Sequence, residues 1–429
     1  MLSAVVQALR GRQDIADWQA RRTVSHERQV YALGARAPEA AREVDAEYVQ
    51  VEVHHDHPAE GRACRGSARV TVPAGQLPAT DAILDRAVFA ASLVNNPPYG
   101  LPGPSPYPAV DTDDPVDLAA AVEELDVRLR RSVQGQRDIR LASAEFFAQR
   151  TQEEFANSRG TAGSATFSRF LTEIILVARD AGGAERETSG LWSRRRVADV
   201  AVEEWVEELS SRARDGLRAV LPDSGRYTVV LSGQTLPQLF EPFAFHASGR
   251  AVQMQISRFK VGQPWGEVSG DPLTLYSNGL LPFGDRSGAF DEEGMPSHCL
   301  PVVENNIVRH QLCTRQYADW LNLPATGPFA NYQLPAGKVP FAELTAEPCL
   351  HLVDFSAFDA DPITGDFVSE IRSGYVYDGC GRRPIRGGSV QGNVFDCLAA
   401  ATYSAELCFL GNYQGPYGVR LSQLSVSGA

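Results

Sequence analysis

The sequence predicts an α+β protein of two domains. An N-terminal mixed α/β domain is expected over residues 1–222, and a C-terminal, largely antiparallel β-sheet domain with few helices over 223–429. Three observations carry that expectation. The 429 residues suffice for two domains at about 100–200 residues each. Helical and strand-like patterns are mixed before residue 221, whereas Gly, Pro and β-formers break up the chain at short intervals beyond it. Between the two lies Leu221-Pro222-Asp223-Ser224-Gly225, a helix-breaking stretch.

The elements follow in order. Residues 48–53 alternate apolar and polar, 54–61 read as a turn, and 66–72 resume the alternation, which predicts a β-hairpin. A Pro/Gly-rich loop occupies 95–108. Asp114 as cap, Pro115 at the first helical position, and Leu118, Val122, Leu125 and Leu129 on one face predict a helix. After the turn Asn157-Ser158-Arg159-Gly160, strands are expected over 165–170 and 173–178. A long amphipathic helix spans 199–220, with Val202, Val206, Leu209, Ala213, Leu217 and Val220 on one side. Residues 227–231, 299–304, 307–312 and 374–377 are expected strands. Apolar residues at 236, 239, 240, 243, 244 and 247 repeat at helical spacing, and Pro242 kinks or starts that helix.

Composition narrows the function. Lys+Arg is 40 against Asp+Glu 53, a formal net charge of −13. Nucleic-acid affinity rests on cations that displace counterions, so nucleic acid is not expected as a partner. The seven cysteines are Cys64, Cys299, Cys313, Cys349, Cys380, Cys397 and Cys408. An odd number at wide spacing, without CxxC, indicates neither a disulfide framework nor a zinc ribbon. The first residues turn polar too soon for a signal peptide, and no apolar run approaches the ~18 residues of a spanning helix. A soluble, cytoplasmic protein with no membrane partner is expected.

Few residues announce chemistry. In His54-His55-Asp56-His57, neighbours on a strand face opposite ways, so at most two could converge on a metal, and an exposed turn is the simpler expectation. His310 with Cys313, and Cys349 with His351, are pairs without partners and read as core. No GxSxG, P-loop, dinucleotide-binding glycine fingerprint or HExxH occurs.

Several blocks of the chain nevertheless resemble the TldD/TldE (PmbA) proteins, subunits of a heterodimeric metalloprotease. They are Asp291-Glu-Glu-Gly294-Met-Pro296 with Val302-Val303-Glu304-Asn305-Asn306-Ile307-Val308, then Ala325-Thr326-Gly327. Gly374-Tyr-Val-Tyr-Asp-Gly379, Arg383-Pro-Ile-Arg-Gly-Gly388 and Gly392-Asn393 follow. The C-terminal Leu421 to Gly428 and the turn Asn157-Ser158-Arg159-Gly160 complete the set, which holds from about residue 120 onward.

The resemblance implies a site, and the sequence departs from it. Catalytic TldD-type subunits carry an HExxxH helix, in which two His bind zinc and Glu activates water. Here that helix falls on residues 240–246, in one of two registers. Either Phe240 and Phe245 stand at the His positions and only Glu241 survives, or Glu241-Pro242 stand for His-Glu and only His246 survives. Cys408 is the remote candidate for the family's third ligand, a C-terminal Cys. Neither register leaves a zinc pair, so no catalytic residue and no cofactor is expected in this chain. Glu241, Phe243 and His246 are candidates for lining a substrate chamber, with core the stronger expectation for the phenylalanines.

The resemblance therefore implies a TldE-like, non-catalytic subunit that pairs with a TldD-like, zinc-binding subunit and helps enclose a chamber for peptides. Alternatives are the same role in a pair that hydrolyses an amide in a peptide-like natural-product intermediate, or an inert homodimeric binding protein. Convergence of Glu241, His246 and Cys408 on zinc would instead make the chain active alone.

Overall fold

The computed structural model describes residues 1–34, 40–379 and 381–429, so Cys380 lies outside the described residues. Six antiparallel strands of the first half form one sheet in the order β3-β2-β1-β4-β5-β6. They are β1 Asp17–Leu33, β2 Ala40–Ala59, β3 Arg62–Pro73, β4 Ile139–Asn157, β5 Ala162–Arg179 and β6 Glu185–Arg194. Period-two alternation gives each strand two faces. Trp18, Ala20, Val49, Val51 and Val53 pack under helices α1 (Leu2–Arg10) and α2 (Thr80–Ser92). Ala144, Phe146, Phe170 and Ile174 pack under α3 (Leu118–Gln134) and α4 (Val202–Leu217). The intervening Gln19, Arg21, Gln50 and Glu52 face the second half of the chain.

Local expectations need four corrections here. Strand β2 runs on through the histidines, because β3 pairs with it as far as Ala59 opposite Arg62, and the turn shrinks to Glu60-Gly61, both at positive φ. His54 is thereby buried against Tyr99, while His55 and His57 stack with centroids 5.4 Å apart. The two strands expected at 165–170 and 173–178 are one, since β5 pairs without a break across Leu171 and Thr172. Helix α3 is capped by Asp117, which accepts from the Ala120 N–H at 3.0 Å. Asp114 is drawn away because its carboxylate accepts from the Val197 N–H at 2.8 Å. Helix α4 stops at Leu217, leaving Val220 about half exposed, at 52%.

The second half is β-rich, with five α-helices of at most seven residues among the described residues. Its elements are β7 Gly225–Ser232, α5 Glu241–His246, α6 Gly249–Gln253, β8 Leu275–Asn278, β9 Cys299–Glu304, β10 Ile307–Val308, α7 Arg315–Leu321 and β11 Asn331–Gln333. Then come α8 Phe341–Leu344, β12 Cys349–Phe355, β13 Asp366–Tyr377, β14 Arg382–Ile385, β15 Ser389–Asn393, α9 Val394–Ala399, β16 Thr402–Tyr403, β17 Leu407–Phe409, β18 Tyr413–Pro416 and β19 Gly418–Ser427. Strands β12, β7, β19, β15 and β13 pair in that order, and β13 pairs back to β12, which closes a small barrel. A second sheet runs β10-β9-β8-β11-β18-β17. Among the described strand pairs of the second half, only β7–β12 in the barrel and β11–β18 in the second sheet are parallel.

The expected strand at 307–312 is short, because pairing with β9 covers only Ile307 and Val308 before Leu312 turns to bridge Ser248. Residues 374–377 are the end of the longer β13. The helical pattern at 236–247 splits at Pro242, into a 3-10 segment over Gly233–Phe240 and then α5. Among the described residues no helix is long and apolar enough to cross a membrane.

Candidate functional site

The open face of the N-terminal sheet and the loops at 277–300 and 326–330 enclose a cavity of about 490 Å³. Gln19, Arg21, Gln50, Glu52 and Arg69 form its floor, and Arg286, Asp291, His298 and Phe329 stand on the opposite wall. Buried cations hold the two sides together. Arg195 lies over the Phe167 ring and donates to the carbonyls of Ser287 and Asp285, each at 2.7 Å. Burial depresses its pKa to about 10, against the pull of Asp285. Arg21 pairs with Glu153 and donates to the Asp291 carbonyl at 2.8 Å. The Tyr107 hydroxyl donates to the Gly294 carbonyl at 3.0 Å.

The loop Asp291-Glu292-Glu293-Gly294 brings carboxylates to this boundary. Asp291 Oδ1 accepts from the N–H groups of Glu293 and Met295, both at 2.9 Å. Its Oδ2 is buried without a partner, and burial raises its pKa. Gly327, at φ +77°, makes room for that oxygen, because a Cβ there would lie 2.7 Å from it. Glu293 Oε2 accepts from the Arg315 N–H at 2.7 Å. Burial, aided by Asp291 and Glu52 and opposed by Arg315, pushes Glu293 up to about 7.

A carboxyl whose pKa is raised by folding stabilises below its unfolded value, near 4.5, and loses that contribution as pH climbs through 7. Glu293→Gln, which keeps an acceptor for Arg315, is therefore expected to match the native chain at pH 4, below the unfolded value. At pH 8 it should be more stable by about 2 kcal/mol, a reading of the shift discounted for partial exposure. Urea unfolding at the two pH values measures this. A difference independent of pH would refute it.

Helix α5 is the other candidate. Phe240 and Phe243 are fully buried, and Phe245 is half-buried. Phe243 packs on Phe259, Trp265 and Phe395 at 5.0–5.4 Å between centroids. His246 is 1% exposed with both ring nitrogens engaged: Nε2 donates to the Ile363 carbonyl at 2.9 Å, and Nδ1 accepts from the Arg258 N–H at 3.2 Å. Burial lowers its pKa, so the imidazole is a neutral internal linker. Glu241 is exposed as a whole, though desolvation at its carboxyl raises its pKa against the opposing Arg286. Cys408 donates weakly to the Pro416 carbonyl at 3.8 Å, and burial pushes its thiol up to about 12.

These residues do not fit a catalytic zinc. His246 has no lone pair to spare, Cys408 resists deprotonation, and no group of three or more His, Cys, Asp or Glu converges among the described residues. Neither Phe243 nor His246 lines the cavity, and nor does Glu241. The apolar face of the segment is spent on the core, which takes Phe243 and His246 with it. A further pair, Ser232 Oγ and His351 Nε2 at 2.7 Å, is less than a tenth exposed at both residues and is closed to a substrate.

Residues 105–217 match the PmbA/TldA metallopeptidase central domain, and residues 224–428 its C-terminal domain. The chain belongs to the PmbA/TldD metallopeptidase family. Metalloprotease PmbA of Escherichia coli O157:H7 is 23% identical over 300 residues, 68% of this chain and 64% of that protein. A zinc metalloprotease TldD homolog of Saccharolobus solfataricus is 23% identical over 197 residues, 44% of this chain and 43% of the homolog. The chain thus spans less than two thirds of these relatives. TldE from Thermococcus kodakarensis shares the fold at a TM-score of 0.83 and 16% identity, over 99% of this chain and 100% of that one. A putative modulator of a DNA gyrase from Thermotoga maritima gives 0.82 and 18%, over 100% of both chains.

The blocks shared with the PmbA/TldD family now have physical roles. Asn305-Asn306, both at positive φ, make the tight β9–β10 turn, and Asn306 Oδ1 accepts from the Leu273 N–H at 2.7 Å. Asn157 Oδ1 holds its own turn by accepting from Arg159 and Thr161, each at 3.0 Å. The Asp291–Gly294 loop and Thr326-Gly327 meet at the cavity. Sequence reasoning missed Gln19, Arg21, Glu52, Arg69 and Arg286. The signal available for the first four was polar residues at alternate positions in the middle of otherwise apolar strands.

Proposed function

We propose that this chain is a TldE-like, non-catalytic subunit of a heterodimeric TldD/TldE-type zinc metalloprotease. Its partner is a TldD-like subunit that carries the HExxxH helix and the zinc, and the two enclose a chamber that admits peptides. The observation that carries this reading is helix α5, whose side chains are committed to a hydrophobic core and to backbone hydrogen bonds rather than to a metal. The register with Phe240 and Phe245 at the His positions fits best. Phe240 stacks on Tyr413 at 6.1 Å, and Tyr413 shares the Pro416 carbonyl with Cys408, the relic of the third ligand. We place the boundary between the two domains at residues 222/223, in the breaking stretch between α4 and β7.

Co-purification of the tagged chain from its native cell, with zinc quantified, tests the proposal. The expected result is a partner of similar size bearing HExxxH, about one zinc per pair, and no zinc in the separated chain. Stoichiometric zinc in the separated chain, abolished by His246→Ala, would overturn it. So would a stable homodimer that ignores a co-expressed HExxxH protein.

A further inference from the structure

One cation on the cavity wall is left without a carboxylate. Arg286 is exposed and lines the cavity, and among the described residues it forms no ion pair. Its place is nevertheless fixed. Its N–H donates to Asn331 Oδ1 at 2.9 Å, and Arg195 grips the carbonyls of both its neighbours, Asp285 and Ser287. Asn331 is itself held: it is 0% exposed, and its Nδ2 donates to the Asn278 carbonyl at 2.7 Å and to Ser287 Oγ at 2.9 Å. The Arg286 guanidinium lies over the buried Tyr332 ring, 6.0 Å from its centroid.

The acids around the cavity are already answered by protein. Glu153 is held by Arg21, and Glu52 by Arg69 at 3.0 Å, which also reaches Glu292 at 3.5 Å. Asp285 accepts from the Ser193 hydroxyl at 3.2 Å and attracts the buried Arg195. Asp291 Oδ1 is taken by two backbone N–H groups, and burial favours the uncharged form of that carboxyl. Glu241 attracts Arg286 without pairing to it, and it lies outside the cavity lining. A ligand that enters therefore meets one exposed guanidinium whose charge no carboxylate neutralises.

We infer that Arg286 captures a carboxylate of the peptide that the chamber admits. The inference rests on the chamber reading above and specifies its substrate. One side chain suffices, because the forked N–H donors of a guanidinium match both oxygens of a carboxylate in two parallel hydrogen bonds. Its anchored backbone and the ring beneath it hold the fork in place before the ligand arrives, which lowers the ordering cost of binding. Beside Arg286 the wall turns apolar: Phe329 stands 4.7 Å from Tyr332 between centroids, and Leu300 and Pro328 line the same cavity. That surface suits the carbon chain adjoining the acid. A volume of about 490 Å³ suits the end of a short peptide and not a folded chain. The carboxylate comes from a peptide C-terminus or from an acidic side chain.

Calorimetric titration of the full-length chain with three peptides tests this. The probes are N-acetyl-Ala-Ala-Ala, its C-terminal amide, and the C-terminal amide of N-acetyl-Ala-Glu-Ala. Either or both of the acidic peptides are expected to bind about tenfold tighter than the neutral amide, the worth of a charged hydrogen bond. Preference for the first assigns the C-terminus and preference for the glutamate peptide the side chain, and both support the site. Arg286→Gln should remove most of that preference. Arg286→Lys, which keeps the charge and loses the fork, should remove part of it, with folding of both variants checked by thermal unfolding. Equal affinity for all three peptides, binding of none, or a preference unchanged in either folded variant overturns the inference. A zinc-bearing partner recovered alongside such a failure leaves the subunit reading intact, so the two fail separately.

Discussion

Replacing Gly294 by alanine should lower the unfolding free energy by about 2–5 kcal/mol and close part of the cavity. Gly294 is buried and sits at φ +82°, where an L side chain costs about 1–2 kcal/mol. A Cβ there would stand 2.3 Å from the Phe155 ring. Phe155 cannot yield freely, because it is 2% exposed, packs near Phe290 at 6.1 Å and lies under the Arg21 guanidinium. Overpacking of that kind adds about 1–3 kcal/mol. The damage would spread, since Gly294 accepts from Tyr107 and anchors the loop that presents Asp291. Chemical denaturation with an unchanged slope measures the loss. A change within about 0.5 kcal/mol would show that the loop moves freely and that its turn does not shape the cavity.

The same loop shows what the amino-acid text discloses and what it hides. Amphipathic helices were legible because their burial is decided locally: Val122, Leu125 and Leu129 repeat at helical spacing and lie beneath one surface of α3. The cap of that helix was not, since Asp114 and Asp117 are equivalent in a linear reading until Val197 claims the first. The length of β2 was hidden for the same reason, because pairing with β3 carries a histidine-rich segment into the sheet. The α+β class survives such errors, which shift boundaries by a few residues without exchanging helix for strand.

The candidate site was harder still. Asp291 and Gly327 could be noted only through likeness to relatives, and their roles depend on a contact between segments about 35 residues apart. Gln19 and Glu52 carry no motif. Their meaning arises when a sheet with one face under helices turns its other, polar face toward a second half that leaves a gap. Helix α5 sits between these extremes. Its missing ligands could be read directly, but whether its phenylalanines line a chamber or a core could not.

Phe243→Ala decides between those two roles. The side chain is 0% exposed and touches Phe259, Trp265 and Phe395, so truncation should cost about 3–5 kcal/mol, the range for an aromatic removed from a packed core. A chamber-lining phenylalanine would lose far less stability and would alter peptide binding instead. Glu241→Ala serves as the contrast on the same helix. Glu241 is exposed and lies outside the cavity lining, so its loss should stay within about 0.5 kcal/mol. Urea midpoints for the two variants, read side by side, separate a packed helix from a functional one. A small loss at Phe243 with a large change in peptide affinity would return this helix to the chamber. A large loss there, with Glu241 silent, fits a helix whose apolar face is given over to the core, where Phe240 and Phe243 pack with the barrel residues.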